Sequence, residues 1–590
     1  MEIRRVFDLM GPLSKNKKSD LLNAKENKKW RNYSTDEFIE NAQNVSFGLF
    51  QLGVERGDRV AIISNNRPEW NFIDFGCQQA DIITVPIYPT ISVTDLKFIL
   101  NDAEVKAVFF SSKDIYKKLA SIEQEIPSVR FIHSFNEIEG VPHFSSFIET
   151  GKKNPQPEKL NKIKTEIDPK KLFTILYTSG TTGVPKGVML SHENILSNVV
   201  ACFPLAPFHS SWRALSFLPL NHVYERMVNT LYFWIGISIY YAEGLETIGD
   251  NLKEIQPQVF VSVPRLIERV YDKLLSAGEK LPGWKKKLFF NAVDFALKFD
   301  PQNISTGQNL KRKFYDKLIF SKWRQALGGK VVCIASGGAA LQPRLGRVFH
   351  CAKIPVLEGY GLTETSPVIA VNCYETENTR IGTVGPVIKN TEVKIADDGE
   401  ILVKGPGVML GYYKNESATK EMIDEDGWLH TGDIGTFIEN RFLKITDRKK
   451  EIFKTSAGKY IAPLMIENKL KECRFIEQCC VIGEGQKFAS ALIVISKDYM
   501  KEWSAKTGHQ FSNEHEATQH PEVKKEISMF IREMNKSLAP YEQIKKQELI
   551  AEAWTVEGGE MTPKLSMKRK VILKKHEDLV KKIFSGSDTD

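Results

Sequence analysis

Phosphate chemistry is written most densely into one stretch of this 590-residue chain, Tyr177-Thr178-Ser179-Gly180-Thr181-Thr182-Gly183-Val184-Pro185-Lys186-Gly187. Its glycines open backbone conformations closed to residues with a Cβ, so main-chain N–H groups can converge on an anion. The hydroxyls of Thr178, Ser179, Thr181 and Thr182 add donors and Lys186 adds a charge. The Walker pattern G-x-x-x-x-G-K-[ST] does not fit, because counting from Gly180 puts Pro185 at its second glycine and Gly187 at its Ser or Thr. A second stretch, Glu358-Gly359-Tyr360-Gly361-Leu362-Thr363-Glu364-Thr365, sets an aromatic ring, a hydroxyl and a carboxylate among glycines. Upstream of it, Val331 to Leu341 reads as a buried strand ending in Gly337-Gly338, where a flat ligand could approach the backbone. Taken alone, a Gly/Ser/Thr-rich turn is a solvated linker and a lone Glu a surface residue.

Further chemistry-bearing groups follow. Thr431-Gly432-Asp433 offers a carboxylate acceptor, although a Gly-Asp turn is common in hairpins. Asp447-Arg448-Lys449-Lys450-Glu451-Ile452-Phe453-Lys454 is a charged run whose default reading is a solvated face. Gly458 lies in Ser456-Ala457-Gly458-Lys459-Tyr460, and Met561 to Arg569 carries Lys564 and Lys568. His222 stands in Phe217-Leu218-Pro219-Leu220-Asn221-His222-Val223-Tyr224-Glu225-Arg226, where a lone His is more often structural.

The elements that must position these groups alternate. Apolar runs at Arg59 to Ile63, Ile82 to Tyr88, Val105 to Phe110 and Leu172 to Leu176 are interspersed with helix-like segments, such as one from Glu69, which predicts parallel α/β sheets. Ser191 reads as the N-cap of a helix through Ile195 and Val199. Residues 151 to 171, polar and holding three prolines, read as a surface connection. Strands are expected at Ala214 to Leu218 and Val259 to Val263. Residues 265 to 329 form a basic, largely helical insertion containing Trp284-Lys285-Lys286-Lys287-Leu288-Phe289-Phe290. That segment fits an amphipathic helix with a solvated Lys face, or a peripheral membrane contact. Beyond residue 380 the pattern turns to β-ribbons, with hairpins at Ala396 to Gly399 and Glu439 to Arg441. Past Asp447 the chain is Lys-rich and mixed, which places a domain boundary there.

Composition excludes rather than selects. The 81 Lys and Arg against 73 Asp and Glu leave +8, so nucleic acid is not demanded although anionic ligands are favoured. Eight scattered cysteines without C-x-x-C pairs suggest neither a disulfide framework nor a zinc site and point to a reducing cytoplasm. No secretory signal is read at the start, and the weakly polar run Thr230 to Ala242 is too short for a spanning helix and reads as a buried helix and strand.

In combination, the loop at 177–187, Tyr360-Gly361-Leu362-Thr363-Glu364, Thr431-Gly432-Asp433, Asp447 to Lys454 and Met561 to Arg569 resemble the motifs of the AMP-forming adenylate ligases. Val263-Pro264-Arg265-Leu266-Ile267-Glu268-Arg269-Val270-Tyr271 and the following insertion resemble the long-chain fatty acid CoA ligases among them. The resemblance implies an α/β fold: a large multi-lobed N-terminal domain, residues 1–447, with parallel-rich sheets and a small β-barrel-like lobe, and a small mobile α+β C-terminal domain, 448–590. It implies that Thr178, Ser179, Gly180, Thr181, Thr182, Gly183, Lys186, Gly338, Gly359, Tyr360, Thr363, Asp433, Arg448 and Lys454 bind ATP or AMP. Tyr360 would stack on adenine, Thr363 would meet the α-phosphate, Glu364 would hold Mg²⁺ and Asp433 the ribose. Lys568 would be the catalytic lysine, with Lys564 as alternative, Lys450 the hinge, Gly458 the glycine of the CoA tunnel, and His222 and Gly337 part of the acyl pocket. Fatty acid, ATP and CoA are the implied partners, and the expected location is cytoplasmic or peripheral at the inner face of a membrane. A ligase that stops at acyl-AMP or loads a carrier protein would keep the same adenylation residues, and a non-catalytic acyl- or nucleotide-binding protein is the rival of another class.

Overall fold

The structure, a computed structural model, describes residues 2–178, 184–556, 558–562 and 567–585. The chain divides into two compact units: Met1–Lys394, Leu402–His430 and Ile438–Leu443 form the first, and Ile395–Ile401, Thr431–Phe437 and Lys444–Asp590 the second.

Two large sheets organise the first unit. One has seven strands in the spatial order Gly411–Tyr412, Lys186–Ser191, Leu172–Thr178, Ile83–Ile87, Arg59–Ile63, Val105–Phe110 and Phe131–Ser134. The continuous apolar runs Arg59–Ile63 and Val105–Phe110 form its parallel centre, where strands covered on both faces need no polar alternation. The second sheet has eight strands, in the order Val368–Val371, Val356–Gly361, Cys333–Ser336, Val259–Ser262, Arg213–Ser216, Ser238–Tyr241, Leu22–Glu26 and Lys29–Tyr33. Its middle strands are parallel, so the turns after Ser336 and Ser262 and the end of Val356–Gly361 share one edge, the place where open α/β sheets bind ligands.

Local sequence explains most of these elements. Ser191 caps the helix His192–Cys202 by accepting from the Asn194 N–H at 3.2 Å, and the Asn194 side chain returns the favour to the Ser191 N–H at 2.8 Å. The run Thr230 to Ala242 is the end of the buried helix Val223–Ile235, a left-handed Gly236, and the strand Ser238–Tyr241. Residues 151 to 171 correct the sequence reading. They hold the end of the helix Phe144–Lys153 and the whole of Pro157–Glu166, in which Pro157 takes the first turn and Leu160 and Ile163 are buried. The basic insertion is helical throughout most of its length, as Pro264–Glu279, Gly283–Leu297, Thr306–Tyr315 and Ser321–Ala326.

The ribbon region forms a four-stranded sheet in the order Glu392–Ile395, Glu400–Lys404, Leu429–Ile438 and Phe442–Arg448. Both expected hairpins are present, with Gly399, Glu439 and Asn440 at positive φ. In the second unit, Ile476–Ile482 pairs antiparallel with Ala489–Ile495, which pairs in parallel with Ile544–Ile550. Helices Pro463–Leu470, Lys497–Thr507 and Pro521–Asn535 contribute Ile466, Trp503 and Ile527 to the apolar core on one face of this sheet. Trp554, Met561, Ile572 and Ile583 cluster with Cys480 and Leu492 of the other face, giving an α+β layer.

Candidate active site

In the first unit Thr178, the last residue of the strand Leu172–Thr178, lies opposite Lys186 in the antiparallel register with Lys186–Ser191. The residues Ser179, Gly180, Thr181, Thr182 and Gly183 fall outside the described residues. Lys186 does not extend alone: its ammonium lies 5.1 Å from the centroid of the Tyr412 ring. The Tyr412 hydroxyl in turn donates to Glu364 Oε1 at 2.8 Å. A line of three side chains therefore joins the loop's cation to the carboxylate expected to hold a metal. Burial and the adjacent Glu364 charge hold the Tyr412 phenol well above its ordinary pKa, so it remains a donor. Nothing local in the sequence marks Tyr412. It reaches the site by pairing with Val188 on the strand that follows the loop.

Thr363 and Glu364 occupy a short 3₁₀ turn, Thr363–Thr365, and both are buried. Two amides of the helix His192–Cys202 hold its surroundings. Asn198 donates to the Thr365 carbonyl at 3.3 Å and accepts from the Val368 N–H at 2.6 Å. Asn194 donates to the carbonyls of Pro406 and Val408, and the Met409 N–H donates to the Glu364 carbonyl at 2.9 Å. Tyr360 is the penultimate residue of the strand Val356–Gly361, opposite Ala370. The glycine after it is required by space, since a Cβ on Gly361 would lie 1.7 Å from the Pro367 carbonyl oxygen.

Gly337 and Gly338 follow the strand Cys333–Ser336, and Gly338 has φ +81°, which favours glycine. Gly337 faces the Tyr224 ring, to which an added Cβ would approach within 3.4 Å, and Gly359 lies beside it. His222 caps the helix Val223–Ile235 by accepting the Tyr224 N–H at Nδ1, 3.0 Å away. The two acyl-pocket candidates, His222 and Gly337, thus meet through Tyr224. Glu358 underlies this region: it is buried and accepts the Leu341 N–H at 2.8 Å, fixing the turn that contains Gly337 and Gly338. Burial pushes its carboxyl up to about 8, against the bond from Leu341 that favours the charged form.

The strand Leu172–Thr178 rests on a second group that no motif marks. Arg226 donates to Asp74 through Nε at 3.2 Å and through Nη2, to Thr174 at 2.7 Å and to Thr84 at 3.0 Å, and it lies between Trp70 and Phe173. It joins the helix that begins after His222 to the strand that carries Thr178.

The second unit holds the remaining candidates. Thr431-Gly432-Asp433 lies within the long strand Leu429–Ile438, not in a free turn, with Gly432 at φ +71°. The Gly432 N–H donates to Glu400 at 2.8 Å, and the buried Asp433 carboxylate meets Arg448 Nε at 3.3 Å. Lys449 pairs with Asp398 at 2.6 Å and Glu400 at 2.8 Å, and its N–H donates to the Gly432 carbonyl. Lys450 occupies the turn closed by the Glu451 and Ile452 N–H groups on the Arg448 carbonyl. Lys454 pairs with Tyr460 across a two-residue ribbon, and Gly458, at φ +78°, stands in the intervening turn, where an added Cβ would lie 3.6 Å from Lys454 Cε. Lys568 precedes the helix Arg569–Lys575, with its side chain exposed and its N–H donating to the Glu560 carbonyl at 2.7 Å. Lys564 lies outside the described residues.

Comparison with known proteins identifies the family of the chain. The AMP-binding enzyme family matches residues 15–413, and the AMP-binding enzyme C-terminal domain matches 450–588. The peroxisomal long chain acyl-CoA synthetase 6 of Arabidopsis thaliana is 36% identical over 578 residues, covering 92% of this chain and 79% of that protein. A long-chain-fatty-acid–CoA ligase of Mycobacterium bovis is 32% identical over 563 residues, covering 94% and 93%. The fold is that of the Mycobacterium tuberculosis fatty acyl CoA synthetase structure, at TM-score 0.64 and 18% identity, covering 98% of this chain and 99% of that one. The chain belongs to the AMP-binding enzyme family, among its long-chain acyl-CoA synthetases.

Proposed function

We propose that the protein joins a long-chain fatty acid to CoA in two steps with an acyl-adenylate between them. The fatty acid carboxylate attacks the α-phosphorus of ATP and diphosphate leaves. The CoA sulfur then attacks the acyl carbonyl, its proton is lost, and AMP leaves with the bonding electrons. The observation that carries the reading is the line Lys186, Tyr412, Glu364, in which the Tyr412 ring links a cation beside the Gly/Ser/Thr-rich stretch to a buried carboxylate, in a chain that resembles long-chain acyl-CoA synthetases over nine-tenths of its length.

In this reading Thr178, Lys186 and the loop 179–183 bind the β- and γ-phosphates, Tyr360 with Gly338 and Gly359 receives adenine, and Asp433 and Arg448 take the ribose and a phosphate oxygen. Thr363 meets the α-phosphate. A hard oxygen donor such as Glu364, beside substrate phosphates, is the kind of ligand that Mg²⁺ takes, since it keeps waters and needs only one or two protein carboxylates. When bound, the ion supplies charge neutralisation between two anions that repel each other. Lys568 adds a positive charge at the developing pentavalent phosphorus, and alignment with charge stabilisation is the main protein contribution to such transfer. A turn about Lys450, beside a domain boundary proposed between residues 447 and 448, would exchange Lys568 for Gly458 between the half-reactions, with Lys454 following the pivot. His222, Tyr224 and Gly337 line the mouth of the acyl pocket.

The exposed face of the insertion and the cysteines support a cytoplasmic or membrane-peripheral location. Among the described residues no helix is long and apolar enough to cross a membrane. On the insertion, however, Trp284 is 72% exposed and Leu310 and Phe314 more than half exposed, beside Lys285, Lys287 and Lys313. Exposed aromatic and basic side chains together suit the anionic inner face of a membrane, where each Lys contributes about 1 kcal/mol. The eight free, buried cysteines fit a reducing compartment such as the cytoplasm. Flotation with liposomes rich in anionic lipid should weaken in the Lys285→Glu, Lys287→Glu, Trp284→Ser variant, and unchanged flotation sinks the membrane reading.

The catalytic reading is tested by AMP and thioester formation from ATP, Mg²⁺ and CoA with acids from short to long and with aromatic acids. Long chains should be preferred. AMP release that does not depend on CoA, activity only with a carrier protein, or activity only with aromatic acids would replace it.

A further inference from the structure

Lys568 can act on phosphate only if its backbone is held in place, and its own helix, Arg569–Lys575, is too short to hold itself. The residue directly after it supplies the hold. Arg569 turns into the second unit's interior with its side chain 14% exposed. Its Nη2 donates to Glu467 Oε1 at 2.7 Å, and its Nη1 donates to the Val481 carbonyl at 2.7 Å and lies 3.0 Å from Cys480 Sγ. Nη2 also lies 3.5 Å from Glu451 Oε2. Glu467 is buried on the helix Pro463–Leu470 and accepts the Val481 N–H at 2.8 Å with the same oxygen that meets Arg569. From the other side, Lys568 gives its N–H to Glu560, whose buried carboxylate pairs with Lys575 and accepts the Thr555 N–H at 3.2 Å.

Two consequences follow. The guanidinium spans a helix, a strand and the segment after Lys450 at once, a planar fork of donors that the single ammonium of Lys cannot reproduce. Its charge is met by Glu467 and Glu451, which leaves the Lys568 ammonium as the exposed cation of the pair. Glu451 is the residue directly after Lys450, so the contact ties the lysine's mount to the pivot segment itself.

We propose that Arg569 is a positioning residue for adenylation: through Glu467 and Glu451 it fixes Lys568 relative to the segment at Lys450. This rests on the assignment of Lys568 as the lysine of the first half-reaction. A displacement of about 1 Å in a reacting group costs on the order of a hundredfold in rate, so partial loosening by Arg569→Lys is expected to cost about tenfold and Glu451→Gln a smaller factor.

The test separates the half-reactions in the full-length enzyme. Adenylation is followed by ATP–diphosphate exchange, and the second step by thioester formation from supplied acyl-AMP and CoA, with thermal unfolding measured alongside. Arg569→Lys should lower the adenylation kcat about tenfold, leave KM for ATP within about twofold, and leave thioester formation within about twofold. Glu451→Gln should move in the same direction with unfolding unchanged, which keeps the test alive should Arg569→Lys fold poorly. Loss of both half-reactions in proportion to lost stability, or adenylation unchanged in both variants, overturns the proposal. Lys568→Ala separates the two levels: it should suppress adenylation and spare the second step. If it spares adenylation, the assignment of Lys568 falls and this inference with it. If Lys568→Ala behaves as stated while the two neighbouring variants do not, only the role of Arg569 falls.

Discussion

Two arginines, one buried and one half-buried, each tie together distant elements of this molecule, and they do so differently. Arg226, beside the strand Leu172–Thr178, is enclosed: Asp74 faces it from one helix, Thr84 and Thr174 from two strands, and Trp70 and Phe173 cover its faces. Both members of its ion pair are 4% exposed. Arg569, beside Lys568, has one buried partner in Glu467 and one in Glu451 whose side chain is 32% exposed. The first arrangement is a frame, buried and bonded on every side, and it fixes the strand that carries Thr178. The second keeps one partner at the surface, next to Lys450, where a change of backbone conformation can be transmitted.

Breaking the frame should have the largest effect. Removing one partner of a buried ion pair leaves a charge unpaired and costs about 3 to 5 kcal/mol. Asp74→Ala and Arg226→Met are each expected to lose that much in denaturant unfolding, with both half-reactions falling together. The double replacement Asp74→Leu, Arg226→Met removes both charges and should recover much of the loss, since an apolar pair of similar volume is often no worse than the ion pair. If Arg226→Met instead lost adenylation alone at full stability, the contrast between a fixed frame and an adjustable mount would be wrong.

A smaller effect distinguishes the rest of the frame, whose buried acids are matched with neutral donors. Glu225 accepts from Ser216 at 2.5 Å and Asn229 at 3.1 Å, and Glu358 from the Leu341 N–H. Burial pushes both carboxyls up to about 8, against these hydrogen bonds. From the ordinary value of 4.5 up to about 8 the native chain keeps protons that the unfolded chain has released. Stability therefore falls as pH rises through that window, and the contribution is fully lost above it. Denaturant unfolding at pH 6 and pH 9 should show a shallower decline in the Glu225→Gln, Glu358→Gln variant than in the parent. An equal decline would mean that these acids are ionised when folded and that the frame is not neutral.

What the sequence made legible divides along the same line. Apolar runs set the strands Arg59–Ile63 and Val105–Phe110 to the residue, and Ser191 marked its helix, because burial on both faces and capping are local properties. Motif resemblance marked Lys186, Glu364, Asp433 and Lys568. It missed Tyr412, Arg226 and Arg569 because each matters through partners far along the chain: Arg226 lies 152 residues from Asp74, and Arg569 lies 102 from Glu467. The helix Pro157–Glu166 is hidden for another reason, since the polar composition and three prolines of 151–171 suggest a surface connection while Pro157 in fact opens the helix. The hairpin Leu22–Glu26 with Lys29–Tyr33 was likewise not anticipated, as its place is set by pairing of Leu22 with Ile239.

The smallest effect concerns His222, a helix cap and a proposed acyl-pocket residue. Its Nδ1 caps the helix that carries Arg226, and replacing a good cap by Ala costs about 1 kcal/mol. His222→Ala should show that loss, and His222→Asn should restore it, since the Asn oxygen can accept the same N–H. The pair of variants then separates cap from pocket. If His222 also borders the acyl chain, His222→Asn will regain stability yet keep a changed KM for the fatty acid at unchanged KM for ATP. If both constants return with stability, the histidine belongs to the frame alone, and the acyl pocket must be sought in Tyr224 and Gly337, whose contact depends on the same helix end.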